Sequence, residues 1–135
     1  MTQKIFITGG AGYIGSILVP VLLKQGYKVT VLDSLIFNQP SLLDSCVDKN
    51  FDFIQGDICD YELLNDLLPK FDIIIPLAAI VGAPACKRNP SLTRLVNYDA
   101  HMNIIKYFST EQKVLFPTTN SGYGIGEKDA YCTEE

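Results

Sequence analysis

The chain has 135 residues, the size of a single domain able to bury a core. Hydrophobic residues make up 47% and charged residues 19%, which excludes a disordered chain, and no apolar stretch reaches the roughly 20 residues that span a bilayer. The formal net charge of -4, with 11 scattered Lys and Arg, argues against a nucleic-acid surface.

Lys4 to Thr8 (KIFIT) is a β-branched and aromatic run. It leads into Gly9-Gly10-Ala11-Gly12-Tyr13-Ile14-Gly15 and then into apolar residues at 14, 17, 18, 21 and 22, the order strand, glycine turn, amphipathic helix. Pro20 predicts a bend in this helix and Gly26 closes it. Lys28 to Leu32 is a second strand ending on Asp33, and Ser34 to Asn50 reads as loop with one short helix near Leu42 to Val47. Phe51 to Gln55 is a third strand ending at Gly56-Asp57, Tyr61 to Leu68 a helix, and Asp72 to Leu77 a fourth, apolar strand of the kind buried on both faces. A loop with Gly82, Pro84 and Pro90 precedes a long helix from Ser91 to Phe108, and Lys113 to Phe116 is the fifth strand.

Strands that alternate with helices in this way predict one domain over residues 1–135, of class α/β, with a doubly wound parallel sheet of Rossmann type. Ligands of such sheets lie outside the carboxyl ends of the strands. The residues to interrogate are therefore 8–15, 33–38, 56–58, 77–84 and 117–125. The start of the chain lacks a cationic segment followed by a signal-length apolar run, so a cytoplasmic location is expected. Cys46, Cys59, Cys86 and Cys132 form no C-x-x-C pair and read as reduced structural thiols, with no metal site expected.

The glycine turn fits G-x-G-x-x-G from Gly10 and also the longer register Thr8-Gly9-x-x-Gly12-x-x-Gly15. Either register brings bare backbone and helix N–H groups to a pyrophosphate. Asp33 stands 18 positions past Gly15 at the end of the next strand, where a carboxylate can accept bonds from the adenosine ribose hydroxyls and would repel a 2'-phosphate. With no Arg nearby, NAD is favoured over NADP; the alternative is that Asp33 is a turn residue.

Thr8 to Gly15, Gly56-Asp57-Ile58, Leu77-Ala78-Ala79, Asn97, and Thr118-Thr119 with Tyr123-Gly124 together resemble the extended short-chain dehydrogenase/reductase family, in particular its nucleotide-sugar epimerases and dehydratases. The resemblance implies a role for each position. Gly9, Gly12 and Gly15, with Tyr13 and Ile14 between them, would hold the pyrophosphate, Asp33 the ribose, and Asp57-Ile58 the adenine. Leu77, Ala78 and Ala79 would floor the cofactor, and Asn97 would position the active site, with a solvated helix-face asparagine as the alternative. Val81 and Gly82, in an apolar loop, would lie beside the sugar with Asn120 and Ser121.

By the same resemblance Thr119, four residues before Tyr123, would hydrogen-bond the reacting sugar oxygen. Its hydroxyl both donates and accepts, which suits an oxygen passing between alcohol and carbonyl. The family's dehydratases follow this Thr with one or two carboxylates; here Asn120 and Ser121 stand instead, which favours an epimerase acting by transient oxidation to a keto-sugar. The family's base lies in Tyr-x-x-x-Lys, and no tyrosine of this chain has a lysine four residues on. Thr133-Glu134-Glu135 resembles the acidic stretch before the base-bearing helix, so the chain is expected to be the NAD-binding portion of a longer homodimeric enzyme and inactive by itself. The alternatives are a non-catalytic dinucleotide sensor and a dehydratase or reductase of the same family.

Overall fold

The structure, a computed structural model, describes residues 2–119. Its elements are β1 (Lys4–Thr8), α1 (Tyr13–Lys24), β2 (Lys28–Asp33), β3 (Phe51–Gln55), α2 (Tyr61–Leu67), β4 (Ile73–Pro76), α3 (Ala83–Arg88), α4 (Pro90–Arg94), α5 (Ala100–Ile104) and β5 (Lys113–Val114). All pairings among the five strands are parallel, in the order β3-β2-β1-β4-β5. This is the expected doubly wound class. None of the described helices is long and apolar enough to cross a membrane.

Successive side chains of a strand point to opposite faces, and both faces of the central strands β1, β2 and β4 are covered, while the edge strands β3 and β5 are largely exposed. Ile5 and Ile7 of β1, Val29 and Val31 of β2 and Ile75 of β4 pack with Val19 and Leu23 of α1 and with Leu42. Phe6, Leu32 and Ile74 belong to a second core with Leu64 of α2 and with Ala100 and Ile104 of α5. Each large side chain so buried contributes about 1.5–3 kcal/mol. Two covered faces are why these strands read as apolar runs rather than as alternating ones.

α1 is continuous through Pro20, so the proline does not divide it. The cap expected at Gly26 is formed: at φ 87° its N–H donates to the Leu23 carbonyl at 2.9 Å, and the Tyr27 N–H donates to the Leu22 carbonyl at 3.2 Å.

Three expectations need correction. The helix expected from Ser91 to Phe108 is a composite of α4, a π-helical turn at Leu95–Asp99, α5 and a 3-10 turn at Ile105–Tyr107. A π turn widens the helix by a residue, which apolar periodicity does not reveal. The loop expected before it contains α3, whose Pro84 sits in the first turn, where its missing N–H is no loss. The fifth strand ends at Val114 instead of Phe116. Asp72 and Ile74 accept from the N–H groups of Lys113 and Leu115, each at 2.9 Å, but the next donor would be Pro76, which has no N–H.

The order of the strands reverses between β1 and β4. Their connections therefore diverge there, and a crevice opens beyond Thr8 and Pro76.

Candidate functional site

A cleft of about 530 Å³ lies at this reversal point, a size suited to a cofactor. Gly9, Gly12, Tyr13 and Ile14 line one side, Asp33 to Phe37 and Ile58 a second, and Leu77 to Val81 a third. Gly9 is where β1 and β4 meet. Its φ is 69°, and a Cβ there would come within 2.6 Å of the N and Cα of Ala78, so both its conformation and the space around it exclude a side chain. The Thr8 hydroxyl accepts from the Ala78 N–H at 3.4 Å, adding a second tie between the two strand exits.

Of the two glycine registers, Gly9 and Gly12 line the cleft while Gly10 makes room for Val31 of the core. Gly15 does not line it either: a Cβ there would lie 2.1 Å from the Gly10 carbonyl oxygen, so its role is to let α1 close onto the turn. Gly12 caps α1 without a side chain, and the first turn carries no acidic residue. The positive end of the helix meets the cleft at Tyr13 and Ile14, which favours an anion such as a pyrophosphate. Bare backbone, a helix N-terminus and small residues on the facing strand exit fit a dinucleotide.

Asp33 braces two loops. Its Oδ2 accepts from the Ala11 N–H of the glycine turn at 2.9 Å, and its Oδ1 accepts from the Leu35 N–H at 2.8 Å. Each oxygen keeps acceptor capacity, so the carboxylate can still meet a ribose hydroxyl. Asp57 is exposed and outside the cleft lining; its Oδ1 accepts from the Cys59 N–H at 2.8 Å, while the next residue, Ile58, is buried and lines the cleft. Burial, reinforced by the hydrogen bond to Asp57 and its negative charge, pushes the Cys59 thiol up to about 11. That thiol stays protonated near neutrality and is a poor nucleophile.

At the exit of β4, Leu77, Ala78, Ala79 and Val81 all line the cleft, whereas Gly82, at φ 88°, lies outside the lining. Asn97 lies in the π turn, exposed and outside the cleft lining, and holds the cleft residue Ile80. Its Oδ1 accepts from the Ile80 N–H and its Nδ2 donates to the Ile80 carbonyl, both at 2.8 Å. Cys86 donates its thiol to the same carbonyl at 3.4 Å. Thr119, the last described residue, is exposed and outside the cleft lining, and Asn120, Ser121 and Tyr123 lie outside the described residues.

Sequence reasoning passed over Ser41, whose hydroxyl donates to the Ala11 carbonyl at 2.7 Å, and over the wall residue Gln39, whereas Phe37 falls within the strand exit at 33–38. It also left His101 unassigned. His101 is buried, meets Phe116 edge-on with ring centroids 5.1 Å apart, and its Nδ1 has no hydrogen-bond partner among the described residues. Burial holds its pKa below the ordinary histidine value.

The model of the family described as "NAD dependent epimerase/dehydratase family" matches residues 5–135. The UDP-N-acetyl-alpha-D-glucosaminuronate decarboxylase of Bacillus cytotoxicus is 32% identical over 127 residues, covering 93% of this chain and 39% of that protein. A UDP-glucose 4-epimerase of Cyamopsis tetragonoloba is 31% identical over 143 residues, covering 98% of this chain and 40% of its own length. Among solved structures, the UDP-glucuronic acid 4-epimerase from Bacillus cereus, in complex with UDP-glucuronic acid and NAD, is similar with a TM-score of 0.85 at 28% identity, over 98% of this chain and 44% of that one. The chain thus spans about two fifths of the length of these relatives. The match begins in β1 and runs through the cleft that β1 and β4 open between them, and on that ground the chain belongs to the NAD-dependent epimerase/dehydratase family.

Proposed function

We propose that the chain is the NAD-binding portion of a nucleotide-sugar epimerase. The observation that carries the cofactor half of this reading is the close approach of Gly9 to Ala78 at the mouth of a cleft met by the N-terminus of α1. When bound, NAD supplies a reversible hydride acceptor for the sugar. Gly9, Gly12, Tyr13 and Ile14 hold the pyrophosphate, with Gly15 closing α1 onto the turn. Asp33 takes the adenosine ribose, Ile58 flanks the adenine beside Asp57, and Ala78 and Ala79 form a floor without bulk. Asn97 fixes the Ile80 backbone and thereby the start of the loop that carries Val81 and Gly82 to the sugar.

Thr119 is assigned to the reacting sugar oxygen, where its hydroxyl donates and accepts in turn. Asn120 and Ser121 supply no carboxylic acid to protonate a leaving hydroxyl, which favours epimerisation over dehydration. With no Tyr-x-x-x-Lys among its 135 residues, the chain by itself binds cofactor without turning substrate over. The whole protein is assigned to the cytoplasm and to a homodimer paired through the helical run that includes Asn97.

The test is to incubate the whole protein with UDP-hexoses, UDP-N-acetylhexosamines and UDP-glucuronate and to follow the sugar by NMR. Signals of an epimer at a ring carbon are expected. A 4-keto-6-deoxy product would assign a dehydratase instead, and loss of carbon dioxide a decarboxylase.

A further inference from the structure

The connection from β2 to β3 is tied to the glycine turn at one residue from two directions. Ala11, buried at 5% exposure, donates its N–H to Asp33 at 2.9 Å and accepts at its carbonyl from the Ser41 hydroxyl at 2.7 Å. Asp33 begins the strap and Ser41 ends it. Between them Ser34, Leu35, Ile36, Phe37 and Gln39 line the cleft. Leu35 and Asn38 have φ of 54° and 50°, a left-handed backbone that asparagine tolerates but leucine keeps only where surroundings over-determine it. Leu35 packs against the core and so holds the near half of the strap, but Ile36 and Phe37 are 58% and 65% exposed, and packing does not hold the half that follows. That half depends on its far end. Leu42, buried in the core next to Ser41, fixes where the far end returns to the protein.

We infer that Ser41 is a positioning residue for the cofactor: by pinning the end of the strap to the Ala11 carbonyl, it sets the wall against which the adenosine half of NAD binds. The inference rests on the NAD-binding reading and adds to it a residue that touches no part of the reaction. A wall formed before the ligand arrives spares the ligand the cost of ordering it.

The test is calorimetric titration of the 135-residue chain and its Ser41→Ala and Ser41→Thr variants with NAD and with ADP, which carries the adenosine half alone. Ser41→Ala is expected to weaken both ligands by a similar factor, about 3- to 10-fold for one hydrogen bond. Ser41→Thr, which keeps the hydroxyl, stays within about twofold of the unsubstituted chain, and the ligand-free melting temperature of Ser41→Ala moves by less than about 3 °C. Equal affinity in Ser41→Ala overturns the inference, as does an affinity loss matched by a melting-temperature drop of many degrees, the mark of a structural role. If the unsubstituted chain binds neither ligand, the NAD-binding reading fails first and takes the inference with it.

Discussion

Gly9 joins fold and site in one residue, because the left-handed turn that ends β1 also brings its backbone against Ala78. A methyl group there costs about 1–2 kcal/mol for the backbone conformation and more for a contact with main chain that cannot step aside. Gly9→Ala is therefore expected to lower stability by at least about 2 kcal/mol, read as a shifted urea midpoint at unchanged slope. A midpoint within error of the parent would contradict the close approach. His101 gives a pH-dependent counterpart. Because burial lowers its pKa in the folded chain, the unfolded chain takes up the proton first, and the difference destabilises the fold as pH falls. Stability is expected to be fully present above about pH 6.5 and to decline below it, and His101→Leu should remove part of that decline. Parallel pH profiles for the two chains would show that His101 is not the group responsible.

Among the elements, the π turn at Leu95–Asp99 has the clearest consequence, since it carries the side chain that grips both backbone polar groups of Ile80. Asn97→Ala is expected to speed amide hydrogen exchange at Ile80 by about tenfold while leaving the sheet's protection intact, as loss of a hydrogen bond of ordinary strength implies. Unchanged exchange at Ile80 would mean that the loop is held without it. The strands, the glycine turn and the first two helices were legible in the sequence because buried parallel strands are continuous apolar runs and glycines punctuate them. The π turn was not, since Leu95 to Asp99 sits inside a run whose apolar spacing is helical either way. Of the strap only the strand exit at 33–38 was legible; its anchor at Ser41 was not, since it acts on a residue 30 positions earlier, with no local pattern to mark it. Gly15 and Asp57 show a related limit: position in a motif does not say what a residue touches, and here Gly15 packs against the Gly10 backbone while the Asp57 carboxylate accepts from the Cys59 N–H.

At the scale of the molecule, the chain spans about two fifths of the length of the relatives it matches, and its described part is one parallel sheet with a cleft at its carboxyl edge. Two apolar cores, one on each face of the sheet, support the crevice between β1 and β4 at their carboxyl ends, and the cleft there joins glycines and alanines of the strand exits to larger apolar side chains such as Ile36, Phe37 and Ile58. On the proposed reading, such a scaffold would recognise a dinucleotide by shape and by helix polarity, with the choice between NAD and NADP falling to Asp33. The most direct measurement is therefore a calorimetric titration of the purified 135-residue chain with NAD and, separately, with NADP. Saturable binding of one NAD per chain is predicted, with NADP weaker by about tenfold or more because its 2'-phosphate meets the Asp33 carboxylate. Absence of saturable NAD binding, or equal affinity for the two, would contradict the account.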